Sequence, residues 1–318
     1  MTQTLLRVRD YDLDATLDSG QAFRWERDNG YWTGVIGRQP VRLTRTPDGI
    51  RAETGGPVAD WQWLRDYLQT DTELDAVLQT FPDDAPMREA MAACRGLRVL
   101  RQDPWECLAS FILSSTKQIV QIRQIVALLC ERFGEPITTN LVATDVSRRT
   151  PPLPEVSADS RPRLRFDGVG LVKNCLSHSF PTAERLAGLT EADLRACKMG
   201  FRAPHLLAAA RSIADGKLDL ERVRRLPLAE ARAELTTLRG VGGKIADCVL
   251  LFAYGFDSAF PVDVWIERAL RQLYFPRRRV GEKRLRHFAA THFGPHAGHA
   301  QQYLFHYMRT KVKQPAGH

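Results

Sequence analysis

The chain has 318 residues, of which 44% are hydrophobic and 26% are charged, and this composition predicts a folded protein and excludes a disordered one. Since no run of 18 apolar residues occurs and the first residues lack the apolar core of a signal peptide, we expect a cytoplasmic protein without a membrane partner. The net charge of +8 favours a polyanionic partner such as nucleic acid, although a basic excess often only solvates a surface.

The first part of the chain shows the alternation of apolar and polar residues that is typical of antiparallel strands. Turn sequences such as Asp28-Asn29-Gly30 separate these strands. We therefore assign residues 1–85 to an N-terminal antiparallel sheet subdomain. Within it, residues 18–25 read DSGQAFRW, which we interpret as a β-hairpin with Phe23 and Trp25 in the core.

From Trp61 onward the apolar residues recur with helical spacing, and we assign residues 86–318 to a helical domain. The sequence Asp103-Pro104 predicts the start of a helix that ends near Ser114. Residues 135–172 are rich in proline and arginine, which indicates a loop insertion. A basic loop of this kind either contacts flanking nucleic acid or is only solvated, and the sequence leaves both possibilities open.

A glycine-rich hairpin followed by two helices is predicted between Leu238 and Glu267. The hairpin reads Gly240-Val241-Gly242-Gly243, a helix runs from Lys244 to about Tyr254 and is ended by Gly255, and Asp263 begins the next helix. Glycines allow close backbone approach, and the free amides at a helix start bind phosphate. The hairpin is therefore a candidate clamp on a nucleic-acid backbone, with Lys244 as a nucleophile beside it. An ordinary turn followed by a surface lysine is the alternative.

The order of residues in this stretch resembles a known family. The pattern Leu-x-Gly-Val-Gly-x-Lys-x-Ala-Asp-Cys, followed by Pro-Val-Asp, is similar to the helix-hairpin-helix (HhH-GPD) DNA glycosylase superfamily, in particular its 8-oxoguanine DNA glycosylase/lyase branch. The sequence SGQAFRW resembles the same branch. The resemblance implies an α+β fold, with an N-terminal antiparallel β-sheet subdomain followed by an all-helical, two-lobed glycosylase domain. It also implies a monomer at the nucleoid whose partner is double-stranded DNA containing 8-oxoguanine.

The resemblance further implies a bifunctional reaction. The base is flipped out of the duplex and displaced at C1′ by Lys244, which forms a Schiff base with the sugar, and β-elimination then cleaves the strand. Asp263 is implied to stabilise positive charge on the sugar. Because this chemistry requires no metal and no metal-ligand spacing occurs, we expect neither a metal nor a cofactor. We expect His292, His296 and His299 to be solvated.

The contacts to the substrate also come from the resemblance. It places Gly20, Cys248, Gln301 and Phe305 in the damaged-base pocket, where the Gly20 carbonyl accepts a hydrogen bond from N7–H of 8-oxoguanine. Contacts to the rest of the DNA are implied for Gly240, Gly242, Gly243, Thr116, Lys117, Gln121, Phe201, Arg202 and Trp265. Ordinary core packing is the alternative for Cys248, Phe305 and Phe201.

Two other functions remain open. An alkylpurine DNA glycosylase of the same fold keeps the aspartate but lacks the lysine, so Lys244 argues against it. A non-catalytic helix-hairpin-helix DNA-binding protein leaves the joint presence of Lys244, Asp263, Gly20 and Gln301 unexplained. No cysteine follows Cys248, so the C-terminal four-cysteine iron–sulfur loop of the endonuclease III relatives lacks its ligands.

Overall fold

The computed structural model describes residues 1–114, 118–137 and 177–313, with side chains up to residue 310. Its first part is a five-stranded antiparallel sheet. The strands are β1 Thr2–Arg7, β2 Trp25–Asp28, β3 Tyr31–Ile36, β4 Gln39–Thr46 and β5 Gly49–Thr54, in the spatial order β1-β5-β4-β3-β2. Trp32 of β3 pairs with Leu43 of β4, and both side chains are buried. The predicted antiparallel sheet is confirmed.

A helix, α1 (Leu13–Asp18), lies between β1 and β2, where the sequence analysis expected only strands. The Asp12 side chain caps this helix by accepting a hydrogen bond from the Ala15 amide at 2.9 Å. Leu13 and Leu17 are four residues apart and are both buried, as the inner face of a helix requires. The short helix was missed because it interrupts a long run of alternating residues.

Residues 19–24 form a loop, so the predicted β-hairpin was wrong. The side chain of Gln21 fixes this loop from within the core. Its Nε2 donates to the Arg98 carbonyl, and its Oε1 accepts from the Leu100 amide, both at 2.8 Å. These bonds attach the loop to the segment of residues 98–100. Phe23 and the first residue of β2 are nevertheless buried, as expected.

The rest of the described chain is helical, which confirms the predicted fold class. The helices are α2 Gln62–Leu68, α3 Leu74–Leu78, α4 Ala85–Cys94, α5 Pro104–Leu113, α6 Ile119–Phe133, α7 Ala183–Ala187, α8 Glu191–Arg195, α9 Ala203–Ala214, α10 Leu220–Val223, α11 Leu228–Thr236, α12 Gly243–Val249, α13 Val264–Tyr274, α14 Glu282–His292 and α15 Ala297–Lys313. A 3₁₀ turn covers Gly200–Arg202, and a π-helix, Leu250–Tyr254, continues α12. Among the described residues, no helix is long and apolar enough to cross a membrane.

The buried apolar residues of the described chain form three clusters. One cluster lies at the sheet and includes α1 and α2. A second contains residues of α5, α6, α9 and α12, and a third contains residues of α4, α13, α14 and α15. The last two clusters correspond to the two lobes predicted for the helical part. The loop after α1 contributes Phe23 to one lobe, while Trp25 packs at the sheet.

Two predicted boundaries are not tested by the fold. The run of helices that follows the last strand already begins at Gln62, inside the segment 1–85, and the division between residues 85 and 86 stays a prediction. The insertion predicted for residues 135–172 lies outside the described residues, apart from residues 135–137.

Candidate active site

The glycine-rich hairpin joins α11 to α12 and places Lys244 in the first turn of α12. Gly240 has a φ of +87°, and a Cβ atom at this position would lie 2.2 Å from Nδ1 of His205 on α9. Glycine is therefore required for the hairpin to close against α9. Gly242 is exposed, and Gly243 begins the helix, so the free amides of this helix start are open to a ligand.

The amine of Lys244 is held by neighbours from two helices. Its Nζ donates a hydrogen bond to Oγ of Ser114 at 3.1 Å and lies 5.1 Å from the centre of the Phe111 ring. It also lies near the thiol of Cys248, one turn further along α12. Because Lys244 is only half-buried, the amine remains within reach of a bound molecule.

The thiol of Cys248 is protonated near neutral pH. Burial raises the pKa of this thiol to about 12, and the nearby amine of Lys244 offsets the effect of burial only in part. A neutral thiol is a small, polarizable and largely apolar group. Cys248 therefore offers a surface suited to the face of an aromatic ring.

Asp263 caps the helix that follows, as predicted. Its Oδ1 accepts hydrogen bonds from the amides of Trp265 at 3.0 Å and Ile266 at 2.8 Å. Since both of these bonds use Oδ1, the cap leaves Oδ2 outside it. The neighbouring Val264 is 76% exposed, so this helix start faces solvent.

Lys244 and Asp263 line the same cavity, which has a volume of about 450 Å³. This volume falls within the range of sites for small molecules. Gly20, Cys248, Gln301 and Phe305, the residues predicted to hold a damaged base, line the same cavity. The fold thus brings together side chains from α12, α13 and α15 with the loop that follows α1.

Gln301 is a buried polar residue of this cavity. The residue is 4% exposed, and its Oε1 accepts no hydrogen bond within the described part of the chain. Leaving a buried acceptor unpaired costs roughly 1–3 kcal/mol, which a bound ligand with a matching donor removes. Phe305 lies one turn further along α15, so the two side chains occupy the same helical face.

Gly20 occupies a conformation that favours glycine, with a φ of +80°. A Cβ atom at this position would lie 2.7 Å from Cδ1 of Ile119, the first residue of α6. A larger residue therefore needs both strained backbone and a displaced isoleucine. The loop approaches α6 closely at the rim of the cavity.

Phe201 and Arg202, predicted to contact DNA, are adjacent in sequence but differ in burial. The side chain of Phe201 is 58% exposed, so the alternative of core packing was wrong for this residue. Arg202 is 2% exposed, and its guanidinium carbon lies 4.2 Å from the centre of the Phe201 ring. A DNA contact by Arg202 thus requires its side chain to leave a buried position. Trp265, by contrast, is half-buried and lines the cavity.

The predicted contacts near the start of α6 are described only in part. Gln121 is exposed, and its Oε1 accepts a hydrogen bond from the backbone amide of Gln118 at 3.2 Å. Gln121 therefore helps to cap α6 as well as facing solvent. Thr116 and Lys117 lie outside the described residues.

Two side chains that support the predicted ones carry no distinctive sequence pattern. In the sequence Ser114 is only the end of a helix near the DNA, and Gln302 has no predicted role. Ser114 lies 130 positions before Lys244, and no local pattern predicts a contact over that separation. The position of Gln302 directly after Gln301 was the only sequence signal for it.

The histidines near the C terminus are not solvated, contrary to expectation. His292 Nε2 lies 2.8 Å from an oxygen of Asp84, and His296 Nδ1 lies 3.0 Å from Oγ1 of Thr80. Burial, together with the nearby His296 and Arg101, lowers the pKa of His299 to about 3. In the described ranges, no group of three or more His, Cys, Asp or Glu side chains is arranged to hold a metal ion.

The sheet, the two helical lobes and the hairpin beside a lysine-lined cavity define a helix-hairpin-helix protein, and family comparisons agree. Residues 4–108 match the N-terminal domain of 8-oxoguanine DNA glycosylase, and residues 109–293 match the HhH-GPD superfamily of base excision DNA repair proteins. The second match covers more than half of the chain. The chain therefore belongs to the HhH-GPD superfamily of base excision DNA repair proteins, and the predicted family is confirmed.

Individual relatives align over most of the chain. A probable N-glycosylase/DNA lyase of Methanothermobacter thermautotrophicus is 29% identical over 95% of each protein. The N-glycosylase/DNA lyase of Saccharomyces cerevisiae is 30% identical over 81% of this chain and 67% of the yeast protein. The solved 8-oxoguanine glycosylase/lyase of Clostridium acetobutylicum, bound to DNA with cytosine opposite 8-oxoguanine, has a TM-score of 0.80 and 27% identity over 97% of this chain and 98% of the other. A 3-methyladenine DNA glycosylase from Archaeoglobus fulgidus, at 19% identity and a TM-score of 0.73, shares the fold.

Proposed function

We propose that this protein excises 8-oxoguanine from duplex DNA and then cleaves the strand, with Lys244 as the nucleophile. The observation that carries the proposal is one cavity lined by the Lys244 amine, the Asp263 carboxylate and the unpartnered amide oxygen of Gln301. Relatives that match most of the chain are described as N-glycosylase/DNA lyases, and a similar solved structure is described as an 8-oxoguanine glycosylase/lyase.

The chemistry follows from the position of the amine. A base inside a duplex shields its glycosidic bond, so the damaged nucleotide is flipped into the cavity before reaction. The lone pair of the uncharged Lys244 amine attacks C1′ of the sugar, and the bond between C1′ and the base breaks with its electron pair leaving on the base, which takes up the proton that the amine releases. The resulting hemiaminal ether opens to a Schiff base as its N–H proton passes to the ring oxygen, and loss of a proton from C2′ to solvent expels the 3′ phosphate by β-elimination.

Asp263 supports this reaction through its charge. Positive charge develops on the sugar as the base leaves, and a fixed carboxylate at the cavity wall stabilises that charge. The helix cap uses Oδ1, which keeps the carboxylate in one orientation while Oδ2 stays outside the cap. Capping and catalysis are therefore compatible roles for one side chain.

Four residues of the cavity recognise the base in this proposal. The Gln301 amide pairs with the Watson–Crick edge, which gives its buried oxygen a donor. Phe305 and the neutral thiol of Cys248 contact the two faces of the base. The Gly20 carbonyl accepts a hydrogen bond from N7–H of 8-oxoguanine, whereas undamaged guanine presents a lone pair there and is rejected.

The remaining surface is proposed to hold the duplex. The amides after Gly242 bind a backbone phosphate, and the exposed Phe201 fills the gap left by the flipped nucleotide. Thr116 and Lys117 remain predicted DNA contacts. The protein is proposed to act as a monomer, and the DNA substrate supports a place at the nucleoid.

Incision of a duplex with one 8-oxoguanine, in the presence of borohydride, tests the proposal. Borohydride reduces a Schiff base, so the unaltered protein is expected to become covalently attached to the damaged strand. Lys244→Gln is expected to bind the duplex but neither to attach nor to cut it. Lys217→Gln, a change at an exposed lysine paired with Asp215, is the matched control and is expected to attach normally. Attachment that survives Lys244→Gln contradicts the assignment, and excision only of alkylated purines contradicts the substrate.

A further inference from the structure

The C-terminal helix α15 binds the loop that leads into Gly20. Nε2 of Gln302 donates a hydrogen bond to the Ser19 carbonyl at 3.2 Å, and Nη1 of Arg309 donates to the Asp18 carbonyl at the same distance. Gln302 is 2% exposed, so water does not compete for its bond. Two consecutive carbonyls are thus attached to one helix.

The opposite side of the loop packs on α6. Arg123 of α6 binds the Asp18 carboxylate at 3.1 Å, and Ile119 blocks the space beside Gly20. After the glycine, Gln102 Nε2 donates to the backbone carbonyl of Gln21 at 2.6 Å. The peptide groups that carry the Ser19 and Gln21 carbonyls are therefore both anchored, and the peptide group that carries the Gly20 carbonyl lies between them.

This anchoring matters because glycine itself is conformationally free. Without a fixed peptide on its N-terminal side, Gly20 samples a range of φ and ψ, and its carbonyl points in a range of directions. The Gln302 bond fixes that peptide, and α15 also carries Gln301 and Phe305. The distance between the Gly20 carbonyl and the Gln301 amide is thereby set before a base enters the cavity.

We propose that Gln302 is a positioning residue that determines specificity for the damaged base. This role of Gln302 rests on the proposed function, in which the Gly20 carbonyl distinguishes N7–H of 8-oxoguanine from the bare N7 of guanine. Gln302 does not touch the N7 position in this proposal, and it acts through Ser19 on the direction of the next carbonyl. Loss of Gln302 is expected to weaken the discrimination between 8-oxoguanine and guanine more than it weakens the affinity for DNA.

Binding measurements in a Lys244→Gln background, which prevents turnover, test this role. Four duplexes are compared, carrying 8-oxoguanine, guanine, a tetrahydrofuran abasic analogue, or 7-deaza-8-oxoguanine, which has C–H in place of N7–H. Gln302→Met removes the donor at similar volume, and Gln272→Met, at an exposed position of α13, is the matched control. The preference for 8-oxoguanine over guanine is expected to fall about tenfold with Gln302→Met, the size of one hydrogen bond.

The analogues separate positioning from general damage to the fold. Binding of the abasic analogue is expected to change less than about twofold, and Gln302→Met is expected to add no further loss with 7-deaza-8-oxoguanine, because the N7–H contact is already absent. Equal losses for all four duplexes, or no change in preference, would overturn the role of Gln302. If the parent protein itself shows no preference for 8-oxoguanine, the proposed function fails instead. Should Gln302→Met not fold, Gln302→Glu replaces the donor with an acceptor and carries the same expectations.

Discussion

Nζ of Lys244 lies 3.1 Å from Oγ of Ser114, which lies 130 positions earlier in the chain. Ser114 donates its own hydroxyl hydrogen to the Phe111 carbonyl at 2.7 Å, and so presents a lone pair to the lysine. An amine reacts efficiently only when it is aimed at the carbon it attacks. The proposed nucleophile is therefore oriented by the end of α5 as well as by its own helix.

Replacement of Ser114 tests this orientation. Ser114→Ala is expected to slow base excision about tenfold, since the hydrogen bond that orients the amine is lost and such a bond contributes roughly 0.5–1.5 kcal/mol. Single-turnover excision of 8-oxoguanine measures the effect. Ser212→Ala on α9 is the control and should leave the rate unchanged. A normal rate for Ser114→Ala shows that the lysine does not need this contact.

Replacement of Asp263 separates charge from capping. Asn is as good a helix cap as Asp, so Asp263→Asn is expected to preserve the melting temperature and DNA binding. Excision is expected to fall by about a hundredfold or more, because the charge that stabilises the sugar is lost. Asp219→Asn removes the charge of another helix cap, at α10, and should keep full activity. Full activity of Asp263→Asn would show that Asp263 is only a helix cap and has no catalytic role.

Replacement of Phe305 tests the proposed stacking of this ring on the flipped base. Stacking on an aromatic ring contributes roughly 1–3 kcal/mol per base, so Phe305→Ala is expected to weaken binding and excision of the flipped base by that amount. Phe275 packs against the same core cluster, and Phe275→Ala should lower stability without affecting excision. If Phe305→Ala lowers the melting temperature while excision stays normal, Phe305 is a core residue.

The preference for the base opposite the lesion is predicted from the start of α6. The resemblance places Thr116 and Gln121 where the eukaryotic members use Asn and Arg to contact the opposite cytosine. It places Trp265 where those members have a His near the catalytic aspartate, at a phosphate contact. Glutamine lacks the forked cationic donors of arginine, and in this protein Gln121 already accepts a hydrogen bond from Gln118. Arg202, the third predicted contact, is buried.

Each missing contact to a base removes roughly 1–3 kcal/mol of discrimination. We therefore expect only a modest preference for cytosine, with 8-oxoguanine opposite adenine, guanine or thymine also processed. This preference is measured by single-turnover rates on four duplexes that differ only in the base opposite 8-oxoguanine. Gln121→Arg is expected to raise the preference for cytosine. A preference of about a hundredfold or more in the unaltered protein contradicts the prediction and assigns the discrimination to Arg202 alone.

The sequence by itself determined the elements that depend on local interactions. The glycines before Lys244 and the cap at Asp263 act over only a few residues, so their order along the chain predicts the hairpin and both helix starts. The alternating residues likewise predicted the antiparallel sheet. The helix Leu13–Asp18 was the exception, because six residues inside an alternating run carry too little periodic signal.

Only the tertiary structure decided which side chains meet. Ser114 contacts Lys244 across 130 positions of the sequence, and Gln302 contacts Ser19 across 283 positions. Over such sequence separations, the spacing of residues carries no information about which side chains are in contact. The neighbours Phe201 and Arg202 show the same limit, since packing exposes the aromatic ring and buries the charged residue, the reverse of the usual preference. Burial and hydrogen-bond partners depend on how three clusters pack against one loop, and that packing is a property of the whole chain.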